Sequence, residues 1–344
     1  MKIALCSTTV PFVESGARQI VEWLEENLRE HGHSVERVYL PEVDLPWILY
    51  RQMMAFRWVD LEAADRIICF RPQSHMIPHP NKVLWFIHHV RVYYDLWDSP
   101  YRQFKDDDKH RGIRDAIRAA DNAAISEARA VFTNSAVVSE RLKKYNGVES
   151  EVLYPPLLRP ERFFNRGSNN EIVYVSRIED HKRQHLLIEA LRHTKAPVKL
   201  RLCGTTTGDQ YPRELRQRIL DLGLSDRVSF DNRWVTEEEK ASHLADCLAA
   251  AYLPVDEDSY GYPTLEAAHS SKPMLTASDS GGVLEFVQDG VNGYVAEPTP
   301  LAVAEAMDRL FLDRAATETM GRSAADRVRE LGIAWPKVIE RLLA

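Results

Sequence analysis

Two carboxylates, Asp258 and Glu266, bracket the stretch Asp258-Ser259-Tyr260-Gly261-Tyr262-Pro263-Thr264-Leu265-Glu266. The apolar run 248–253 before it reads as a buried strand that Pro254 ends. Pro263 suits the first position of a helix, where a missing N–H costs nothing. That helix is expected to run to about position 271, with a second short strand at 274–277. The spacing therefore predicts a β-loop-α-β unit. Free N–H groups at its helix start suit a phosphate, and the two acids suit hydroxyl donors. A pair of cations belongs to the same chemistry. Arg177 lies just past the predicted strand 172–176, and Lys182 lies at the start of a predicted helix 183–191. Two cations flanking a helix start suit a diphosphate. The plainer alternatives are solvated loop acids and a surface ion pair of Arg177 with Glu179 or Asp180.

The chain that must position these groups has 344 residues, which suggests two domains, and 44% of them are hydrophobic, enough for sizeable cores. A net charge of -7 gives nucleic-acid binding no electrostatic support. Cys6, Cys69, Cys203 and Cys247 have no metal-ligand spacing and read as buried reduced thiols of a cytosolic protein. No run of about 18 apolar residues is present, and positions 1–6 enter a strand without a signal-peptide layout.

In chain order, a strand at 2–6, a loop at 7–15, a helix opened by Gly16 and a strand at 34–39 make a doubly wound start. Ile20, Val21, Leu24 and Leu28 give that helix its apolar stripe. Positions 46–63 carry Trp47, Tyr50, Met53, Met54, Phe56 and Trp58 with Arg51 and Arg57 between them. This reads as a core helix with snorkelling arginines; an acceptor groove or membrane-facing patch is the second reading. Strands follow at 66–70 and 82–87, the latter ending in His88-His89. Strand ends of open α/β sheets face the ligand crevice, and a hydrogen-bonded polar histidine is the plainer alternative there. The charges between 101 and 118 are nearly balanced and read as a solvated face. Asn134-Ser135 caps a helix to Tyr145, and 159–170 reads as a linker. Thr236 with Glu239 forms a capping box.

Taken together, these motifs resemble the family-4 glycosyltransferases, retaining enzymes of the GT-B fold. Their signature places two glutamates around a Gly-x-Pro centre. Glu266, Gly261 and Pro263 match it, and Asp258 stands where the first glutamate is usual. Further matches run in order: Ser15-Gly16 for Gly-Gly, Gly32-His33-Ser34-Val35, Asn134-Ser135, and Tyr154-Pro155-Pro156. Ser176-Arg177 with Lys182 follows, then Gly281-Gly282 with Glu285, then Asp289-Gly290-Val291-Asn292-Gly293.

The resemblance implies two Rossmann-like doubly wound domains facing across a cleft. Residues 1–158 would form the acceptor-side domain and 171–330 the nucleotide-sugar domain, with a closing helix at 331–344 that crosses back. It implies that Arg177 and Lys182 neutralise the diphosphate, that Glu266 holds the ribose, and that Asp258 holds a donor-sugar hydroxyl. His88, with His89 as fallback, would reach the donor sugar or the acceptor. Gly16, Trp234, Val235, Gly261, Tyr262, Thr264 and Leu265 complete the implied nucleotide-sugar site. The donor would be a UDP- or GDP-sugar. The acceptor would be a glycan, a lipid-linked molecule or a small molecule, met in the cytoplasm or at the inner face of a membrane. With no positioned carboxylate nucleophile, a front-face route is the working mechanism. No cofactor or metal is expected, because Arg177 and Lys182 supply the positive charge; Asp256-Glu257-Asp258 then reads as an acidic loop. Two alternatives share these features: a nucleotide-sugar 2-epimerase, and a non-catalytic nucleotide-sugar-binding partner of a transferase.

Overall fold

The computed structural model describes residues 1–12, 15–42, 46–99, 101–102, 104–206 and 208–344, the side chains of positions 46 and 47 excepted. The expectation for Trp47 therefore lies outside the described residues. The chain divides into two units, Met1–Pro156 with Ile333–Ala344, and Leu157–Gly332.

The first unit alternates strands and helices: β1 (Lys2–Thr9), α1 (Gly16–Glu30), β2 (Ser34–Pro41), α2 (Pro46–Arg57), β3 (Arg66–Cys69), β4 (Lys82–Phe86), α3 (Asp108–Ser126), β5 (Ala130–Thr133), α4 (Ala136–Asn146) and β6 (Glu151–Val152). Its sheet is parallel in the order β2-β1-β3-β4-β5-β6. Helices cover both faces, so β3 and β4 are buried throughout. The start of α1 is capped by Ser15, whose hydroxyl accepts from the Arg18 N–H, and its apolar stripe is buried. Ser135 caps α4 in the same way. Only part of the apolar and aromatic set in and just after α2 is core. Leu49, Met53 and Phe56 are buried, whereas Met54 and, one residue past the helix, Trp58 are exposed. Arg57 pairs with Glu127.

The second unit contains β7 (Glu171–Val175), α5 (Gln184–Leu191), β8 (Lys199–Gly204), α6 (Gln210–Asp221), β9 (Val228–Asn232), α7 (Glu237–Asp246), β10 (Ala249–Ala251), α8 (Tyr262–His269), β11 (Met274–Ala277), β12 (Gly293–Ala296), α9 (Pro300–Leu312) and α10 (Arg314–Glu330). The order is β12-β11-β10-β7-β8-β9, again parallel. The chain winds outward from β7 in one direction and from β10 in the other. A crevice opens beyond the carboxyl ends of two such neighbours. The strand expected over 248–253 is shorter than its apolar run. The Leu253 N–H is taken by the Tyr174 hydroxyl at 3.2 Å, and Pro254 has no N–H to continue a ladder.

Residues expected as a linker are tied to the second unit. The Arg166 and Asn169 N–H groups donate to the carbonyls of Ala245 and Asp246, and the Lys272 ammonium donates to Asn165 Oδ1. The last helix, α11 (Trp335–Leu343), belongs to the first unit. The buried Arg66 guanidinium donates to the carbonyls of Leu342 at 2.7 Å and Ala344 at 3.1 Å, and Arg341 pairs with Glu151. Among the described residues no helix is long and apolar enough to cross a membrane.

Replacing Arg66 by Met removes a charged donor from two helix-end carbonyls and should cost about 2 kcal/mol. Deleting residues 335–344 should cost about 2 kcal/mol less on the Arg66→Met background than on the parent, because both changes remove the same contact. Urea denaturation of the two single changes and their combination checks this, and fully additive losses would count against the contact.

Candidate functional site

The site is built where β7 and β10 lie side by side. Lys182 ends a short turn, Asp180–Lys182, beyond β7. It is not part of the next helix, as the spacing had suggested. Arg183 sits between the two elements in the left-handed region, at φ 55°. The turn is fixed from below: the Tyr174 hydroxyl donates to the Lys182 carbonyl at 2.5 Å. The Lys182 ammonium, 7% exposed, donates to the Tyr252 hydroxyl at 2.9 Å and to Glu257 Oε2. Tyr252 donates in turn to the same carboxylate oxygen at 2.9 Å. Burial opposes charge on Glu257, yet the Lys182 ammonium and the hydrogen bonds hold its carboxyl below the ordinary value.

The acidic loop after β10 is anchored on both sides. The Arg183 guanidinium donates to the carbonyls of Leu253 and Pro254 at 2.7 and 2.8 Å, and grips Asp279 with two bonds. The Gly282 N–H donates to the Glu257 carbonyl at 2.8 Å. A Cβ at Gly281 would lie 2.5 Å from that carbonyl oxygen, and one at Gly282 would lie 2.6 Å from Ser259 Cα. The Gly-Gly turn thus lets two loops lie against each other.

Gly261 opens α8 at φ 72°, with Tyr252 packed where its side chain would be: a Cβ would stand 2.4 Å from the ring. The helix start offers fewer donors than the spacing predicts. Pro263 has no N–H, and the Thr264 N–H returns to the Gly261 carbonyl at 3.1 Å. The Thr264 hydroxyl, also buried, donates to the Tyr260 carbonyl. Leu265 is wholly in the core. Glu266 is 4% exposed and accepts from the Lys240 ammonium at 2.5 Å. Burial pushes its carboxyl up, and Lys240 works against that push. Burial lowers Lys240 in turn, but Glu266 and Glu237 together keep it above the ordinary lysine value.

The structure gathers Lys182, Gly261, Tyr262, Thr264, Leu265, Glu266 and the half-buried Asp258 into these loops and the helix they lead to. Arg177 follows β7 but is 45% exposed and paired with Glu179 at 2.9 Å. Trp234 is exposed and Val235 buried in the connection between β9 and α7. Gly16 and His88 lie in the first unit. Both ring nitrogens of His88 are engaged: Nε2 accepts from the Arg71 guanidinium at 3.2 Å and Nδ1 donates to the His89 carbonyl at 2.7 Å. Burial and the Arg71 charge push it down to about 3, so the ring is neutral. His89 Nε2 bonds to Asn146 Oδ1 at 2.8 Å. Four groups at the site escaped sequence reasoning: Glu257, Tyr252, Arg183 and Lys240. Glu257 looks like one of three loop acids, and Lys240 like one end of an i,i+3 surface pair with Glu237. Among the described residues no cluster of three or more metal-ligating side chains occurs.

Comparison with known structures shows the architecture. Sucrose-phosphate synthase from Thermosynechococcus elongatus superposes with a TM-score of 0.77 at 16% identity, over 98% of this chain and 97% of that one. HepE from Anabaena, in complex with UDP, gives 0.72 at 18% identity, over 100% and 98%. Residues 159–327 match the family model for glycosyl transferases group 1. The chain is a glycosyltransferase of the GT-B fold. Among sequence relatives of this transferase, the human alpha-1,3/1,6-mannosyltransferase is 24% identical over 309 residues, 82% of this chain and 72% of the relative. The GDP-mannose-dependent alpha-(1-6)-phosphatidylinositol monomannoside mannosyltransferase of Mycobacterium tuberculosis is 30% identical over 191 residues, 53% and 49% of the two chains.

The Lys182–Glu257 pair makes the stability of the transferase depend on acid in a defined direction. A carboxyl whose value falls on folding contributes fully above its ordinary value of 4.5, and the contribution is lost as pH drops through the lowered value. Glu257→Ala should cost about 3 kcal/mol near neutrality, because it leaves a buried ammonium without its carboxylate. Glu257→Gln should show a flatter loss of stability in acid than the parent. Parallel urea-midpoint profiles of the two between pH 3 and 7 would contradict the assignment.

Proposed function

We propose that the enzyme transfers a hexosyl group from a nucleoside diphosphate sugar to a glycan or lipid-linked acceptor, with retention of anomeric configuration and without a metal ion. The observation that carries this reading is the placement of Lys182 in the turn beyond β7 and of Glu266 on α8, the helix that follows the neighbouring strand β10. Lys182 meets the diphosphate and offsets the charge that grows as it leaves, with Arg177 assisting from the surface. Glu266 accepts from the nucleoside's ribose. Asp258 accepts from a hydroxyl of the transferred sugar. The leaving phosphate takes the acceptor proton on the front face, since no carboxylate is assigned as a nucleophile. The relatives' names support a mannosyl donor, GDP-mannose first, and the UDP complex of HepE keeps UDP-sugars in the panel. The lipid-linked acceptor rests on the phosphatidylinositol mannoside named for the mycobacterial relative.

Turnover of GDP-mannose, UDP-glucose and UDP-N-acetylglucosamine, read as nucleoside diphosphate release with an acceptor panel, tests the reading. Release should persist in EDTA. Loss in EDTA with recovery on adding manganese would contradict the metal-free mechanism, and release of a 2-epimerised sugar would replace transfer by epimerisation.

The two acids should separate by function. Glu266→Gln is expected to weaken binding of the free nucleoside diphosphate about tenfold, on the scale of one hydrogen bond to a charged group. Asp258→Asn should leave that affinity unchanged and depress transfer instead. Calorimetry beside initial rates distinguishes them, and wild-type transfer by Asp258→Asn would remove this acid from the mechanism.

A further inference from the structure

Lys240 sits on α7 and packs against α8. Its side chain is 12% exposed and that of Glu266 is 6% exposed. The ammonium donates to Glu266 Oε1 at 2.5 Å and bonds Glu237 Oε1 at 2.9 Å, and it lies 5.8 Å from the centre of the Phe163 ring. The cation is therefore boxed by two carboxylates and an aromatic face. The groups that bear on Glu266 are Lys240 and Glu237 from α7 and the Tyr262 phenol from its own helix. Glu266 Oε2, by contrast, makes no hydrogen bond with any described residue.

We infer that Lys240 is a positioning residue for the nucleoside end of the donor, holding Glu266 by one oxygen so that the other accepts from the vicinal hydroxyls of a ribose. The inference rests on the donor reading given above. Its physical content is the state and orientation of one carboxylate. A carboxyl this buried takes up a proton when no cation faces it, and then presents a donor where a ribose hydroxyl needs an acceptor. Paired on Oε1, the group stays ionised, its plane is fixed, and the acceptor at Oε2 has one direction. A site that relies on such an acceptor rejects the analogue lacking the hydroxyl, because the acceptor is then left unpaired. Lys240 thereby sets the preference for ribonucleotides over deoxyribonucleotides without touching either.

Calorimetry of the full chain with GDP and UDP, and with their 2′-deoxy and 3′-deoxy forms, between pH 6 and 8.5 tests this. The parent is expected to prefer the ribonucleotide by about tenfold or more, independent of pH. Lys240→Met should abolish that preference at pH 6.5 and recover part of it at higher pH as Glu266 ionises; Lys240→Arg should keep it throughout. A Lys240→Met protein that melts lower but discriminates as the parent does would show a merely structural pair and overturn the inference. A parent that binds ribo and deoxy forms alike would also overturn it, while leaving the donor reading in place. A parent that binds no nucleotide would remove the donor reading and this inference with it. If Lys240→Met does not fold, Glu266→Gln and Lys240→Arg make the same comparison: the first should lose the preference and the second keep it, and the reverse would overturn the inference.

Discussion

An ammonium group out of water must have its charge met, and Lys182 is almost completely buried. The second unit is arranged around that requirement. Glu257 supplies the countercharge, and Tyr252 bonds both partners. To bring Glu257 there, the chain leaves β10 early and is gripped by Arg183 at two carbonyls. To let it lie flat, the turn beneath carries Gly281 and Gly282. To admit the Tyr252 ring, α8 begins at a glycine. A loop that would otherwise be a run of three repelling acids becomes a defined edge of the site.

A second pair repeats the theme one helix away. Lys240 and Glu266 neutralise one another between α7 and α8, as Lys182 and Glu257 do between β7 and β10. Each of the two buried ammonium groups therefore already has a carboxylate against it before a ligand arrives. On the donor reading proposed above, an incoming diphosphate would be an exchange partner for an existing carboxylate. Discrimination then lies in geometry more than in bulk attraction, since unmatched charge attracts any anion and a prepared pair does not.

What the sequence shows well is local. The caps at Ser135 and Thr236 depend on neighbours within three residues, and each forms; the cap at Ser15 is equally local but is seen only in the structure. The β-loop-α-β unit around Gly261 and Pro263 was legible for the same reason. What it conceals is long-range. Glu257 finds Lys182 across 75 positions, and Lys240 finds Glu266 across 26. Nothing in the spacing of either acid marks it as a buried partner. Arg183 could not be seen to leave the helix, because its left-handed backbone is imposed by the carbonyls and the carboxylate it holds. The apolar run 248–253 promised a longer strand because burial alone does not require a ladder; a tyrosine hydroxyl took one of its donors. The position of His88 at a strand end points to the crevice, whereas its ring nitrogens are engaged by Arg71 and a backbone carbonyl.

The central claim is that the nucleotide is held by the loops beyond β7 and β10 of the second unit. Hydrogen–deuterium exchange with and without saturating GDP or UDP tests it directly. The account predicts slowed exchange concentrated in residues 177–184 and 256–266, with the sheet of the first unit unchanged. Protection confined to the first unit, with these two segments exchanging as in the free protein, would contradict it.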